Sequence, residues 1–328
     1  MASLRAGVVG LGMMGQHHVR VLRELDGVDL VGVADPGGDP HGVAGGLAVL
    51  RSVAALVEVG VDIAVVATPT GLHDEVALEL AEAGIHTMIE KPLAVDGKAA
   101  QRIVETFAAK GLIGCVGHIE RFNPALQELR ARLESGDLGD VYQISTRRQG
   151  PFPARIADVG VVKDLATHDI DLTAWVAQSP FTSVSARVTH RSGREHEDLV
   201  AAVGILANGT VTNHLVNWLT PYKERVTVVT GALGAFVADT LTADLTFYAN
   251  GTVRTQWASV ASFRGVSEGN VTRFAYAKPE PLRLEHEAFR DAVLGDTSRI
   301  VSMAEGLRTV QVAEAMLSSA ATGHSVEL

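Results

Sequence analysis

Cysteine is almost missing from this chain: of 328 residues, only Cys115 is one. That excludes a disulfide framework and any zinc site built on cysteines. Excess positive charge is missing too. Lys and Arg number 28 against 38 Asp and Glu, a net charge of −10. No overall field therefore draws the chain to nucleic acid or to an anionic membrane. The apolar runs fall far short of the roughly 20 residues that cross a bilayer. The N-terminus, Met1 to Arg5, leads straight into a strand-like run with no signal-peptide pattern. These absences lead us to expect a soluble cytoplasmic protein with no nucleic-acid or membrane partner.

What is present is globular composition, 47% hydrophobic and 20% charged. A prior of roughly 150 residues per domain suggests two domains. The first part alternates short apolar runs (Ala6–Gly10, Leu30–Ala34, Ile63–Ala67, His86–Ile89, Ile113–Val116) with helical patterns. Val19, Leu22 and Leu25 form one helical stripe, and Val76, Leu80 and Ala83 another. Such alternation means βαβ units and a parallel sheet buried on both faces. Asp35–Gly46 is rich in Gly and Pro and reads as loop, so the element after the second strand is short or irregular.

After Phe122 the pattern changes. Pro124–Leu133 is helical, and alternating strands follow. Asn208-Gly209 and Asn250-Gly251 each sit between alternating runs, the local signature of a hairpin. Leu199, Ala201, Val203 and Ile205 alternate before the first; Leu245 and Phe247, then Val253, Thr255 and Trp257, flank the second. A large, mostly antiparallel sheet is expected here. Met303, Leu307, Val310, Ala313 and Leu317 form the apolar stripe of a closing helix. The expected organisation is an α/β protein: a doubly wound Rossmann domain over residues 1–120 and an α+β domain with an open sheet over 121–328.

Gly10-Leu11-Gly12-Met13-Met14-Gly15 is G-x-G-x-x-G, directly after a strand and before a helix. The first glycine makes the tight turn. The second lets backbone approach a pyrophosphate, and the third lets helix and strand pack closely. The helix N-terminus, with Met13 and Met14, offers N–H groups and a positive dipole end to phosphates. Asp35 lies 20 residues beyond Gly15, at the end of the second strand, where an acid accepts ribose hydroxyls. A carboxylate there repels a 2′-phosphate, and no Arg or Lys follows before Arg51. The pattern favours NAD over NADP as cofactor.

Among nicotinamide enzymes, the Tyr-x-x-x-Lys class is excluded. Tyr142, Tyr222, Tyr248 and Tyr276 are followed at i+4 by Thr146, Val226, Thr252 and Glu280. Two other places carry candidate chemistry. Glu90-Lys91-Pro92 ends the His86–Ile89 strand, at the sheet edge where open α/β folds bind ligands. A lysine there can hold a developing alkoxide, and a Lys-Pro bond is a candidate for the cis form. The plainer alternative is a solvated loop lysine. The second place is Lys163-Asp164-Leu165-Ala166-Thr167-His168. Asp164 and His168, four apart, share a face if the segment is helical, and histidine is the usual general base. The alternative is a helix start with a surface histidine. A metal site on these acids lacks a second histidine at suitable spacing.

Taken together, Gly10–Gly15, Glu90-Lys91-Pro92 and Asp164-x-x-x-His168 resemble the Gfo/Idh/MocA oxidoreductase family over nearly the whole chain. The resemblance implies oxidation of a sugar or cyclitol hydroxyl to a ketone, without metal, with Lys91, Asp164 and His168 as catalytic residues. It places Thr68, Pro69, Thr70, His73 and Glu90 by the cofactor. It also implies a homo-oligomer, dimer or tetramer, assembled through the C-terminal sheet. Gly117–Pro124 and Gly150–Ile156 look like the branch that oxidises C3 of UDP-N-acetylglucosamine with NAD. Arg121, Arg155 and Lys163 are cations that could neutralise a diphosphate, and Asn123 could bond sugar hydroxyls. Ordinary salt-bridged surface is the other reading of these four. The alternatives for function are an inositol or free-sugar dehydrogenase, a nucleotide-sugar 3-ketoreductase, and a catalytically silent dinucleotide-binding sensor.

Overall fold

The β-branched runs of the first third pair side by side into one parallel sheet. In the computed structural model, which describes residues 3–153, 159–251 and 267–328, its strands are β1 (Leu4–Val9), β2 (Val28–Ala34), β3 (Val49–Leu50), β4 (Ile63–Val66), β5 (His86–Glu90) and β6 (Gly114–Gly117). Their order is β3-β2-β1-β4-β5-β6. This is the doubly wound dinucleotide-binding order, with its switch point between β1 and β4. Both faces are buried, as the lack of alternation in these runs requires. Val8, Val65 and Met88 face α1 (Met13–Glu24) and the Phe289 ring. Their neighbours Val9, Val66 and Ile89 face α2 (Val53–Val59), α3 (His73–Glu82) and α4 (Gly97–Lys110). Each such side chain, moved from water to core, contributes about 1.5–3 kcal/mol before entropy is charged.

Local signals set the helix ends. Ser52 accepts from the Ala55 N–H and Asp96 from the Ala99 N–H, so both cap a helix start. The loop after β2 is irregular, as its glycines and prolines predict. The short edge strand β3 and the helix α2 follow it; β3 pairs Val49 and Leu50 with Val33 and Ala34, which no local pattern announces.

The second sheet has nine strands: β7 (Val141–Pro151), β8 (Phe181–Thr189), β9 (Leu199–Leu206), β10 (Val211–Asn217), β11 (Leu219–Gly231), β12 (Gly234–Asp239), β13 (Asp244–Gly251), β14 (Ser267–Arg273) and β15 (Val326–Glu327). Every pairing is antiparallel except β7 with β10. The helices α5 (Pro124–Glu134) and α6 (Thr167–Ala177) contribute Leu126, Leu129, Leu172 and Val176 to a core with Ile144, Val229, Phe236 and Leu245 of the sheet.

Two expectations for this sheet are corrected. Asn208-Gly209 does turn the chain between β9 and β10, with Gly209 donating to the Leu206 carbonyl. Asn250-Gly251 does not turn. It lies in β13, opposite Glu268 and Ser267 of β14. There the Asn250 amide donates to Ala232 O, and its backbone N–H to Leu233 O. Contacts with the β11–β12 turn outweigh the turn preference of Asn-Gly. Val253, Thr255 and Trp257 lie outside the described residues. The alternating set in β9 is also reversed: Val200, Ala202 and Leu206 are buried, while Val203 and Ile205 are 54% and 47% exposed.

The chain divides into two compact units. The first holds the residues up to Phe122 together with Pro279–Glu314; the second holds most of 123–278 together with Ala315–Leu328. The first unit therefore takes in α7 (Pro281–Val293) and the start of α8 (Met303–Thr322). Met303, Leu307 and Val310 pack on the α2–α4 side of the parallel sheet.

Candidate functional site

The glycine loop follows β1 and opens α1, at the carboxyl edge of the parallel sheet. Gly10 has φ +93°, and a Cβ there would lie 2.6 Å from the Ala67 carbonyl oxygen. A Cβ on Gly15 would stand 2.0 Å from the Gly10 carbonyl oxygen. These two glycines are steric necessities of the loop. Gly12 is different: its Cβ would meet nothing within 4 Å. The open space above Gly12 is a cradle at the start of a helix with no side-chain cap and no acid in its first turn. Met13 and Met14 are helical residues of that first turn. This is the donor set a pyrophosphate needs.

Asp35 stands at the end of β2. Its Oδ2 accepts from the Leu11 N–H at 2.8 Å and its Oδ1 from the Gly37 N–H at 2.7 Å. Each carboxylate oxygen keeps a lone pair for a ribose hydroxyl. Arg51, the first cation after Asp35, donates to the Pro36 carbonyl at 2.7 Å. The residues therefore fit a dinucleotide with a free 2′-hydroxyl.

The turns after β4 and β5 form the rest of this edge. His73, 1% exposed, lies 2.9 Å from Pro92 O through Nδ1 and 3.0 Å from Thr68 O through Nε2. It braces the Thr68-Pro69-Thr70 turn against the Lys91-Pro92 turn. Burial holds its pKa below the ordinary value, against the pull of those carbonyls. The Lys91–Pro92 bond is cis. Lys91 itself is half-buried, and its backbone N–H donates to Glu90 Oε2 at 3.1 Å. Glu90 is 8% exposed, with its Oε1 2.9 Å from His18 Nε2. A Cβ on Gly117 of β6 would come within 3.4 Å of the Glu90 carboxyl carbon, so this glycine makes room for the acid. Burial pushes the Glu90 pKa up. The His18 hydrogen bond and the nearby Lys91 and His73 outweigh that and leave it below the usual value.

His18 was not singled out from sequence, although it lies three residues past Gly15 on α1. Its other nitrogen, Nδ1, is 2.9 Å from His286 Nε2 on α7. A contact 268 residues away leaves no trace in local pattern.

In the second unit, the segment expected to be a regular helix face is not regular. Val162–Ala166 is a turn of π-helix leading into α6, and the Thr167 N–H reaches back five residues to Val162 O. Such wide turns are rare and frequent at functional sites. Asp164 in this turn is 6% exposed; Lys163 and His168 are half-buried. Beside His168, Asp169 is 2% exposed and receives the Arg148 Nε at 2.7 Å from β7. This buried pair, also missed from sequence, ties the first turn of α6 to the sheet. His214 of β10 lies on the same covered face, with Nδ1 2.8 Å from Thr146 Oγ1.

The four proposed substrate contacts are placed differently from one another. Arg121, 7% exposed in the first unit, donates to Glu305 Oε1 at 2.8 Å. Asn123 caps α5: its Oδ1 accepts from the Ala125 N–H and its amide donates to Thr240 O. Lys163 lies in the π turn, and Arg155 falls outside the described residues. Lys91, Glu90 and the glycine loop belong to the first unit, and Asp164 and His168 to the second.

Comparison with known proteins agrees with this partition. Residues 4–118 match the oxidoreductase family with an NAD-binding Rossmann fold, and residues 126–237 match the GFO/IDH/MocA C-terminal domain. UDP-N-acetylglucosamine 3-dehydrogenase of Acidithiobacillus ferrooxidans is 33% identical over a region covering 65% of this chain and 66% of that protein. Its solved structure superposes with a TM-score of 0.81, at 26% identity over 97% of this chain and 98% of the other. The scyllo-inositol 2-dehydrogenase (NAD(+)) of Bacillus subtilis is 26% identical over 99% of this chain and 96% of its own. The WlbA dehydrogenase of Bordetella pertussis, solved with NADH and UDP-GlcNAcA, is 25% identical with a TM-score of 0.79 over 99% of each chain. Among the described residues, no helix is long and apolar enough to cross a membrane.

Proposed function

Because the chain belongs to the Gfo/Idh/MocA family of NAD-dependent oxidoreductases, we propose that it oxidises a sugar hydroxyl to a ketone, at C3 of a UDP-N-acetylhexosamine-type nucleotide sugar. The likeness to UDP-N-acetylglucosamine 3-dehydrogenase at 33% identity carries this reading, and the WlbA structure with a UDP-sugar supports it. Bound NAD supplies the hydride acceptor. The loop Gly10–Gly15 holds its pyrophosphate and Asp35 its ribose; the turn Thr68–Thr70, braced by His73, and Glu90 flank the rest. His168 takes the hydroxyl proton, oriented by Asp164, while the charge of Lys91 stabilises alkoxide character on the same oxygen. The carbon then gives up its hydride and becomes the ketone. The same groups serve the reverse reduction.

A diphosphate needs cations, and a chain at −10 must supply them locally. Lys163 and Arg155 take that part in this reading. Arg121 is already engaged by Glu305, and the Asn123 amide by α5 and Thr240. Among the described residues, Val203, Ile205 and Val211 are exposed at 46–54% on one face of the nine-stranded sheet, which supports assembly of copies of this chain through that face.

The relatives that are inositol dehydrogenases support a second substrate class. Steady-state oxidation of UDP-N-acetylglucosamine, UDP-N-acetylglucosaminuronate, myo-inositol and scyllo-inositol with NAD separates the two. Turnover of the UDP-sugars, competition by UDP, and weaker binding at higher salt are expected. Saturation by an inositol, with no response to UDP, overturns the nucleotide-sugar reading.

A further inference from the structure

Three side chains from distant parts of the chain form a line inside the first unit: Glu90 at the end of β5, His18 on α1 and His286 on α7. Glu90 Oε1 and His18 Nε2 are 2.9 Å apart, as are His18 Nδ1 and His286 Nε2. The two rings meet edge to face, with centroids 5.1 Å apart. His18 is 0% and His286 1% exposed. Among the described residues, His286 Nδ1 has no hydrogen-bond partner.

These contacts admit one economical proton arrangement. A Glu90 carboxylate accepts only, so His18 Nε2 carries a hydrogen. If His18 were doubly protonated, His286 Nε2 would have to accept. The hydrogen of His286 would then sit on Nδ1, buried and without an acceptor, which is costly. If His18 is neutral, its Nδ1 accepts from His286 N–H, and only a bare lone pair at His286 Nδ1 goes unpaired. The hydrogen bonds then all run one way, from His286 to His18 to Glu90. Burial, the larger cause, holds His286 well below the ordinary histidine value, in agreement with a neutral ring.

We propose that His18, held in one tautomer by His286, is a positioning residue that orients the Glu90 carboxylate beside Lys91. The proposal rests on the reading of Lys91 as a working group of the reaction. Glu90 is the acid next to that lysine and bonds the Lys91 backbone N–H. Without His18, Glu90 keeps the Lys91 backbone N–H on Oε2 but loses the donor to its buried Oε1, and burial then favours uptake of a proton there. The other titratable groups facing this line are Lys91 on the same strand end and His73 from α3. Glu285 adjoins His286 on α7 and acts on Cys115 of β6, whose thiol is pushed well above its usual range by burial and then by Glu285. His118, also buried, follows β6. His18 is hydrogen-bonded to Glu90 Oε1, the carboxylate oxygen that does not take the Lys91 backbone N–H.

The test compares His18→Leu, His18→Gln and His286→Leu with the wild type. The Gln amide nitrogen can stand where Nε2 stands and keep the bond to Glu90. Infrared difference spectra across neutral pH read the Glu90 proton directly, without turnover. His18→Leu should show a protonated-carboxyl band near neutral pH that vanishes on adding Glu90→Gln; wild type and His18→Gln should show none. Turnover with the sugar of the preceding section should fall at least tenfold in His18→Leu below neutral pH, recover toward high pH, and be restored in His18→Gln. His286→Leu, which places an apolar side chain among those of α7, should shift the kcat profile by about one pH unit with KM for NAD unchanged. Lys91→Ala is the control. If it retains turnover, the reading of Lys91 fails and this proposal falls with it. If Lys91→Ala is inactive while folded His18→Leu and His286→Leu match the wild type in spectrum and pH profile, this proposal alone is overturned.

Discussion

Asp35 Oδ2 accepts a hydrogen bond from the Leu11 backbone N–H at 2.8 Å, so the acid we propose for the ribose also pins the glycine loop. In the proposed reading one side chain sets both cofactor choice and loop position. Asp35→Ala should raise KM for NAD by about tenfold or more, the scale of a lost charge-assisted hydrogen bond. Asp35→Ser with Pro36→Arg should move the ratio of kcat/KM for NAD and NADP toward NADP. A wild type that uses NADP as well as NAD would contradict this account of Asp35.

Proton handling at the reacting hydroxyl separates chemistry from cofactor binding. Lys91→Ala and His168→Ala should each lower kcat by roughly two orders of magnitude or more. NADH binding, followed by fluorescence, should be retained in His168→Ala, because that residue belongs to the second unit and not to the glycine loop. Near-normal rates in both variants would remove these residues from the mechanism.

The buried pair under α6 gives a stability prediction. Arg148 and Asp169 have side chains 5% and 2% exposed. Arg148→Met leaves the Asp169 charge without its cation and should cost about 3–5 kcal/mol. Adding Asp169→Leu removes the orphaned charge and should return much of that loss. Chemical denaturation of the two variants checks this. Equal stability of the single and the double variant would mean that the pair anchors nothing.

Acid should loosen the second unit through His214. Burial, against the pull of Asp169, lowers its pKa from 6.5 to about 4. Between those values the unfolded chain holds the proton and the folded chain does not. Stability from this residue is therefore complete above pH 6.5 and is lost as pH falls toward 4. On the order of 2 kcal/mol should disappear between about pH 7.5 and about pH 5. His214→Leu should lose distinctly less than the wild type over that interval in urea unfolding. Identical slopes for the two proteins would place the acid sensitivity elsewhere.

Sequence made the dinucleotide half legible because its constraints are local. Gly10 and Gly15 are glycines for steric reasons that no neighbour can relieve, and Asp35 follows at a spacing set by one βαβ unit. The order β3-β2-β1-β4-β5-β6 then follows from the fold class, apart from β3, whose two residues carry no pattern. The second sheet was harder to read. Its extent was visible in alternation, yet the direction of that alternation was not. Val203 and Ile205 look like core residues and lie on the open face, because a sheet that presents apolar side chains to both sides alternates ambiguously. Asn250-Gly251 has strong turn chemistry and lies in a strand, since its partners, Ala232 and Leu233, come from another hairpin. His18 with His286, and Arg148 with Asp169, are pairs defined by burial and long-range contact. No window of sequence holds both members of the first pair, and strand parity alone would only have hinted at the second.

The first unit is finished by residues far along the chain, Pro279–Glu314. Phe289 fills the α1 side of the parallel sheet, Met303 and Leu307 the other, and His286 completes the line to Glu90. A fragment ending near residue 120 would contain the whole stretch that matches the NAD-binding family and still present both faces of its sheet partly uncovered. During synthesis the parallel sheet must wait, incompletely covered, until Phe289, Met303 and Leu307 have been made. Its early strands are thus exposed to mispairing while the intervening residues of the second unit are made.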